Sequence, residues 1–219
     1  ITGSTTAQTS NSGVSTLFDA NFYVLTTARN VYKVLDNNGN SASTVEPTGT
    51  ATTVLATADG YKWKYMYTLS ASQQANFLST DFMAVATDST VSSAAVDGAI
   101  DIVKIKTPGS GGADGTHTGI AIRGDGSNGQ VSVTVTGGVV TAVTVTNAGT
   151  GYTFGTISNA QIVAAGATSL TGAELDVIIP PKGGHGKNAI EELGGFFVML
   201  NTSLEGTESG NSGDVTVAN

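Results

Sequence analysis

Aromatic residues alternate with polar or smaller ones between positions 61 and 67, directly after the turn dipeptide Asp59-Gly60. Successive side chains of a β-strand point to opposite faces, so residues two apart share a face. Each large ring can bury roughly 150–250 Å². The pattern therefore predicts a strand with one aromatic face, at the centre of a core or of a subunit interface. The four rings are Tyr61, Trp63, Tyr65 and Tyr67.

Short runs of β-branched and aromatic residues, separated by turn residues, predict further strands. These runs lie at 22–25, 31–35, 100–105, 175–179 and 196–200. The strand at 100–105 is expected to stop before Pro108, because proline cannot donate a ladder hydrogen bond.

A glycine pair predicts one hairpin. Val131–Thr136 and Val139–Thr146 flank Gly137-Gly138, which suits a two-residue hairpin turn. The resulting register places Val133 opposite Ala142 and gives the hairpin one apolar face.

Two short helices are expected. Ser70 and Gln73 have the spacing of a capping box, and the helix is predicted to run to about Leu78. Asn188 can cap a second helix over Ala189–Leu193, with Gly194 as its stop.

Together these elements predict a mainly β fold: a sandwich-like body with a few short helices and an inserted Gly/Thr/Val-rich β-hairpin module. We divide the chain into a flexible start (1–16), a β-rich body (17–108), the inserted module (109–172) and a return to the body with a short helix and a final strand (173–219). The small polar residues at the start, which does not begin with Met, are expected to belong to a partial chain.

The composition argues against some classes of binding partner. The 219 residues include 9 basic and 17 acidic ones, for a net charge of −8. The basic residues form no stripe that could neutralise phosphates, so nucleic acid is not an expected partner. The chain contains no cysteine, and no stretch of it is apolar enough to predict a membrane span.

Few residues are candidates for a catalytic or metal-binding site. His117 and His185, the only histidines, lie in glycine-rich segments without a second His or Cys at metal-ligand spacing. We expect loop exposure or a backbone hydrogen bond for each, with the Gly183–Gly186 loop flexible. Glu191 and Glu192 point about 100° apart on a helix and are expected to stabilise its start.

Two other candidates are interpreted as turns. Asp36–Asn40 and Asp125–Gly129 lack the sixth-position Gly of a calcium loop. The tripeptide Arg123-Gly124-Asp125 spells a cell-adhesion motif and is most simply a hairpin tip.

Three segments together resemble a known family. They are similar to the baseplate wedge proteins of contractile-tailed (myovirus) bacteriophages, closest to versions from phages of cyanobacteria. The three segments are Gly60–Tyr67, Val31–Asp36 with Glu46–Gly49, and Pro180–Gly186 with Glu191–Gly194. The likeness covers roughly residues 22–105 and 175–206. The segment 109–172 instead resembles Gly/Thr/Val hairpins of phage and bacterial surface proteins.

The resemblance implies a structural subunit of the virion, assembled in the host cytoplasm, rather than an enzyme. Such proteins form homodimers and contact the other wedge proteins between tail hub and periphery, so no cofactor is expected. The alternative is a carbohydrate-binding or adhesion module of a tail fibre or cell-surface layer. The residues predicted to carry packing or contacts are Tyr61, Trp63, Tyr65, Tyr67, His185, Phe196 and Phe197.

Overall fold

A computed structural model describes residues 22–202 and confirms a mainly β fold with a few short helices. The expectations for residues 1–16 and for the polar end beyond about 206 lie outside this range. The strands are β1 (Tyr23–Leu25), β2 (Asn30–Asp36), β3 (Leu55–Ala56), β4 (Lys62–Thr68), β5 (Ile102–Ser110), β6 (Gly115–Ala121), β7 (Arg123–Gly124), β8 (Gln130–Thr136), β9 (Val139–Asn147), β10 (Gly155–Thr156) and β11 (Thr171–Ile178). The helices are α1 (Ala71–Phe77), α2 (Ser89–Ala94), α3 (Asn159–Ala164) and α4 (Ala189–Glu192).

The strands form four antiparallel sheets. One sheet has the order β1-β2-β4-β3 and a second has the order β6-β8-β9, while β11 pairs with β5 and β10 with β7. The aromatic strand β4 lies inside the four-stranded sheet, between β2 and β3. It is therefore paired on both edges.

Strand β4 is buried on both faces, and not on its aromatic face alone. Lys64 and Met66, on the face opposite the rings, are as inaccessible as Trp63 and Tyr65. The pairing also slips, because Val31 opposes Tyr67 whereas the next residue of β2 opposes Tyr65. The extra residue is Met66, and a bulge of this kind redirects the side chains that follow it.

The bulge divides the aromatic face between two hydrophobic clusters. Trp63 and Tyr65 pack with Tyr32 and Val91, and Tyr61 packs against this group. Tyr67 instead joins Val31, Met66, Leu69, Ala189 and Leu193.

Strand β5 runs through Pro108 to Ser110, so the predicted stop before that proline is wrong. Pro108 pairs with Ala173 of β11, and β11 is the only ladder partner of β5 among residues 22–202. A strand paired on one edge has positions where a missing N–H costs nothing.

A third hydrophobic cluster unites the hairpin with β5 and β11. Ile100 and Val103 are buried in it together with Val131 and Val133, and Leu175 packs against it. Positions 100–105 and 175–179, predicted to belong to the body, pack their apolar side chains in the structure with the segment between them.

The predicted hairpin is present, but its register holds only next to the turn. Val135 opposes Val140 as expected, whereas Val133 opposes Val143 and not Ala142. The extra residue at Thr141 forms a β-bulge, and it brings Val143 onto the buried face in place of exposed Ala142. Burial of the larger apolar side chain explains the shift.

Helix caps follow the sequence signals. Ser70 and Gln73 form the predicted capping box of α1, and the Asn188 side chain accepts from the Glu191 N–H at the start of α4. Helices α2 and α3 were not predicted, although α3 has the same box, formed by Ser158 and Gln161.

The predicted final strand at 196–200 is not a strand. Gly195 N–H donates to Ile190 O at 2.7 Å and Phe196 N–H donates to Gly194 O at 2.9 Å. These turn hydrogen bonds hold the chain after α4 in a local path, and residues 195–200 pair with no strand of the described chain.

Tyr152 explains several of the glycines of the second half. Its ring is buried, and its hydroxyl donates to Ile122 O at 3.0 Å while accepting from Gly129 N–H at 3.1 Å. A Cβ on Gly126 would lie 2.4 Å from the ring, and one on Gly149 would lie 2.8 Å from it. The loops can close around this tyrosine only where side chains are absent.

Two glycines beside Tyr152 separate backbone strain from lack of space. Both have positive φ, but a Cβ on Gly149 would lie 2.4 Å from Ser127 O, whereas a Cβ on Gly151 meets nothing within 4 Å. We expect Gly151→Ala to cost about 1–2 kcal/mol through φ alone. Gly149→Ala should cost at least about 2 kcal/mol more, because the backbone must also move. Urea unfolding of both variants measures the difference; equal losses would contradict close packing around Tyr152.

Candidate functional site: the Glu192 carboxylate and the aromatic strand

The aromatic rings predicted to carry contacts are internal. Trp63 is 2% exposed, Tyr65 5% and Tyr67 1%. Tyr61 is half-buried and stacks on Trp63 with ring centroids 5.2 Å apart. Strand β4 therefore contributes these rings to the packing of the described chain.

The polar atoms of these rings are also used internally. Trp63 Nε1–H donates to Thr57 Oγ1 at 3.1 Å, and the Tyr67 hydroxyl donates to Ala84 O at 2.9 Å. Burial raises the pKa of Tyr67, which stays protonated and remains a donor. Tyr65 shares a 2.7 Å hydrogen bond with Thr68, and Tyr61 donates to Ser41 O. The rings are fixed at both their apolar and their polar ends.

Asp59 anchors the long connection that precedes β4. Its side chain accepts five hydrogen bonds. The hydrogen bond from Thr57, together with backbone N–H donors, lowers its pKa against the opposing effect of desolvation. One carboxylate thus ties the 41–58 connection to the turn that starts the aromatic strand. The donors are Ser43 Oγ, Thr44 N, Val45 N, Thr57 Oγ1 and Tyr61 N.

The glycine-rich segment around His185 is buried rather than an exposed flexible loop. Gly184, His185 and Gly186 are all buried. A Cβ on Gly184 would lie 2.3 Å from Val96 O, and one on Gly186 would lie 2.4 Å from Val91 Cγ1. Because these glycines have no side chain, the backbone of this segment packs directly against α2 and against the chain after it.

His185 points to a carboxylate that the sequence analysis assigned to a different role. Its Nδ1 lies 2.5 Å from Glu192 Oε1, and because a carboxylate only accepts, Nδ1–H is the donor. Lys33 Nζ lies 2.8 Å from the same oxygen, and Gly186 N–H donates to Oε2 at 2.7 Å. The Glu192 side chain is 2% exposed. It is the common acceptor of a buried polar cluster, in addition to lying in the first turn of α4.

The surroundings of Glu192 keep it ionised. Burial raises its pKa, but the hydrogen bond from His185 and the charge and hydrogen bond of Lys33 outweigh this effect and bring the pKa to about 2. Lys33 comes from β2 and Glu192 from α4, 159 positions apart. The cluster therefore joins the beginning of the described chain to its return after β11.

His185 also borders a cavity of about 210 Å³. Lys64 lies on the same wall, where Nζ donates to Thr52 O at 2.6 Å and is 3.9 Å from Asp101 Oδ2. An imidazole held by a carboxylate is one half of a nucleophile-activating arrangement. Among residues 22–202, however, no hydroxyl or thiol hydrogen-bonds to His185, so the arrangement lacks a nucleophile.

A larger cleft, of about 1010 Å³, lies between the four-stranded sheet and the β5–β9 region. Asp36 stands at its wall, 3.5 Å from Lys104 Nζ and 3.9 Å from Lys62 Nζ. This carboxylate thus connects β2 with β4 and β5. These lysines are partly exposed, so each pair contributes little to stability.

The remaining candidates have local structural partners. His117 lies in β6, where Nε2 is 3.0 Å from Ala113 O, in agreement with the expected backbone hydrogen bond. The Asp125 carboxylate, in the tripeptide that spells an adhesion motif, accepts from the Thr153 hydroxyl and from the Thr153 and Phe154 N–H groups. These bonds hold the pKa of Asp125 at about 2.

Phe196 and Phe197 lie on the surface and not in a strand. They are 62% and 74% exposed, and the run continues with Val198 at 90% and Leu200 at 88%. Phe82 stacks edge-on against Phe197 at 6.4 Å.

The structure thus divides the seven predicted contact residues into three places: the four aromatics of β4 in two clusters, His185 in the Glu192 cluster, and Phe196 with Phe197 on the surface. Lys33, Lys64 and Asp101 were missed. Lysines at 33 and 64 alternate with apolar neighbours and so carry the signal of solvent-facing strand positions. Nothing in the spacing shows that a carboxylate 159 positions away reaches Lys33.

Comparison with known proteins yields no match to a family model, to a curated protein or to a solved structure. Within residues 22–202, no three His, Cys, Asp or Glu side chains come together as metal ligands would. No helix in the same range has the length and hydropathy needed to cross a membrane.

Glu192→Gln tests the role of the cluster in stability. Near pH 7 we expect a loss on the order of 3 kcal/mol, because Lys33 loses its counter-charge and the N–H donors of His185 and Gly186 lose a charged acceptor. The folded pKa of about 2 lies below the ordinary 4.5. The contribution of Glu192 is therefore complete above about pH 5 and disappears as the pH falls towards about 2.

Urea unfolding of wild type and variant at several pH values measures this. The two stabilities should converge on acidification, and Glu191→Gln, one position away and exposed, should change little. A gap between wild type and Glu192→Gln that does not depend on pH would show that shape, and not charge, is what Glu192 provides.

Proposed function

We propose that this protein is a structural subunit of a phage tail baseplate wedge, which assembles by protein–protein contacts and links the hub to the periphery. In this proposal it acts in the virion without a reaction of its own, as a homodimer that binds other wedge proteins and neither nucleic acid nor membrane. The family assignment rests on the three segments described above, at 31–49, 60–67 and 180–194.

The observation that carries the assembly role is the exposed apolar run after α4. Val198 and Leu200 are almost fully accessible, and they follow two phenylalanines that are more than half exposed. Contiguous exposed apolar residues mark protein–protein contact sites more often than isolated ones do. Burying one aliphatic side chain contributes about 1.5–3 kcal/mol, so such a run can supply a large part of a subunit contact.

The internal use of polar groups also supports a structural role. The Asp59 and Asp125 carboxylates, which a sequence search would select for chemistry, accept hydrogen bonds that close loops. Glu192 is occupied by Lys33, His185 and Gly186. These groups hold the fold together, as the parts of an assembly subunit do.

The alternative function, a carbohydrate-binding or adhesion module, is suggested by the Gly/Thr/Val-rich segment and gains no support from the aromatic strand. Aromatic residues that bind sugars present their ring faces to solvent, whereas the rings of Trp63 and Tyr65 are buried. Within residues 110–202 the exposed rings are Phe154 at 57%, Phe196 at 62% and Phe197 at 74%.

Light scattering with size-exclusion chromatography tests the proposal on the full-length protein, alone and mixed with candidate wedge proteins. We expect a dimer that joins a complex with a protein of different sequence. The double variant Val198→Glu and Leu200→Glu should weaken that association at least roughly ten-fold, because it replaces buried apolar area with charge. Phe154→Glu is the matched control, an exposed apolar residue of the second half, and should leave the association intact.

A trimer that ignores the wedge proteins but is retained on a glycan column would favour the adhesion module. Circular dichroism of both variants shows that lost association does not reflect lost folding. Unchanged association of the double variant would remove the apolar run from the contact.

A further inference from the structure

The chain contains two Asn-Gly pairs, Asn38-Gly39 and Asn128-Gly129. Asn-Gly is the dipeptide most prone to deamidation, because glycine leaves its own amide nitrogen open to the neighbouring side chain. That nitrogen attacks the asparagine Cγ, the N–Cγ bond forms, the Cγ–Nδ2 bond breaks and ammonia leaves with the displaced proton. Water then opens the cyclic imide at either carbonyl, giving aspartate or isoaspartate.

The two asparagines are alike in backbone φ and in exposure. Asn38 has φ of +48° and Asn128 has φ of +64°, and both asparagines are exposed. The φ of the asparagine and its solvent access therefore do not separate the two pairs. The difference lies in the glycine that must attack.

Both backbone polar groups of Gly129, its N–H and its carbonyl, are hydrogen-bonded. Its N–H donates to the buried Tyr152 hydroxyl at 3.1 Å, and its carbonyl accepts from Ile122 N–H at 2.8 Å. The residue is buried, and Gly149 packs so closely that a Cβ there would lie 2.6 Å from Gly129 N. The attacking nitrogen cannot reach Asn128 Cγ unless this loop opens.

Gly39 has none of these restraints. It is exposed in a turn, a Cβ added to it would meet no atom within 4 Å, and its N–H has no hydrogen-bond acceptor among residues 22–202. The restraint at this pair is on Asn38, whose side-chain amide donates to Asp59 O at 3.0 Å. We propose that Asn38 is the deamidation site of this protein and that the Tyr152 hydroxyl protects Asn128.

Modification at Asn38 has a structural consequence, because its side chain packs on the turn that starts the aromatic strand. A Cβ on Gly60 would lie 2.7 Å from Asn38 Nδ2, so the two are in close contact. Deamidation replaces the donor to Asp59 O with a carboxylate. The new charge stands beside Asp36, whose Oδ1 accepts from the Asn38 N–H at 3.1 Å, and near the charged side chain of Asp59. Ageing of the protein at this position should therefore loosen the Asp59-Gly60 turn.

Peptide mapping by mass spectrometry tests the proposal without any variant. The intact chain is incubated at mildly alkaline pH, folded and in denaturant, and acid formation is followed at both asparagines. We expect Asn38 to react several-fold faster than Asn128 in the folded protein and the two rates to approach each other in denaturant. Equal rates in the folded protein, or faster reaction at Asn128, would overturn the proposal.

A pair of variants tests the consequence. Asn38→Asp, which mimics the product, should lower the melting temperature by several degrees, whereas the matched Asn128→Asp should lower it less. Equal shifts would contradict the assignment of structural damage to Asn38. Tyr152→Phe, where it remains folded by circular dichroism, should raise the rate at Asn128 and leave the rate at Asn38 unchanged; an unchanged rate at Asn128 would overturn the protective role of the hydroxyl.

Discussion

The fold depends on keeping one carboxylate charged inside the protein. Glu192 is 2% exposed and is approached by an ammonium, an imidazole and a backbone amide, contributed by β2 and by the glycine-rich segment before α4. An isolated buried carboxylate would be too costly to keep ionised, so it requires these partners together. Because Lys33 lies near one end of the described chain and Glu192 near the other, the charge is satisfied only when the polypeptide has returned to the four-stranded sheet.

That requirement explains the residues around it. His185 can reach Glu192 only if the chain passes close to α2, and Gly184 and Gly186 make the approach by offering no side chain to Val96 and Val91. The same device recurs around Tyr152, where Gly126, Gly129 and Gly149 surround one buried ring. Glycine therefore contributes to packing here. Glycine loses more conformational entropy on folding than other residues do, and this loss is offset by backbone contacts that no larger residue allows.

Local signals in the sequence were accurate where a single interaction decides the outcome. Ser70 with Gln73 and Asn188 with Glu191 cap their helices as the spacing predicts, and Gly137-Gly138 closes the hairpin. The same capping signal at Ser158 and Gln161 was overlooked, although it could have located α3. The errors concern quantities that several strands determine together. Bulges at Met66 and Thr141 changed register and face, because burial of Met66 and Val143 outweighed regular pairing.

The candidate site was less predictable, for a related reason. Period-two alternation marks Lys64 as facing solvent, yet another part of the chain covers that face. Thr52 O accepts a hydrogen bond from the Lys64 ammonium. Alternation reports which side chains share a face; it does not report whether both faces are covered. The hydrogen bond between His185 and Glu192 could not be deduced from the sequence, because Glu192 also carries the ordinary signal of a helix start.

Two ion pairs join the four-stranded sheet to the chain around β5. Lys64 lies 3.9 Å from Asp101, with the Lys64 side chain buried, and Lys104 lies 3.5 Å from Asp36, with both side chains partly exposed. The partly exposed Lys104–Asp36 pair contributes at most about 1 kcal/mol. In contrast, Tyr152 N–H donates to Gly98 O, and a Cβ on Gly98 would lie 2.1 Å from Tyr152 N. A contact at this distance cannot slide without breaking. In the proposed baseplate role the chain between α2 and β5 would therefore move together with the segment around Tyr152.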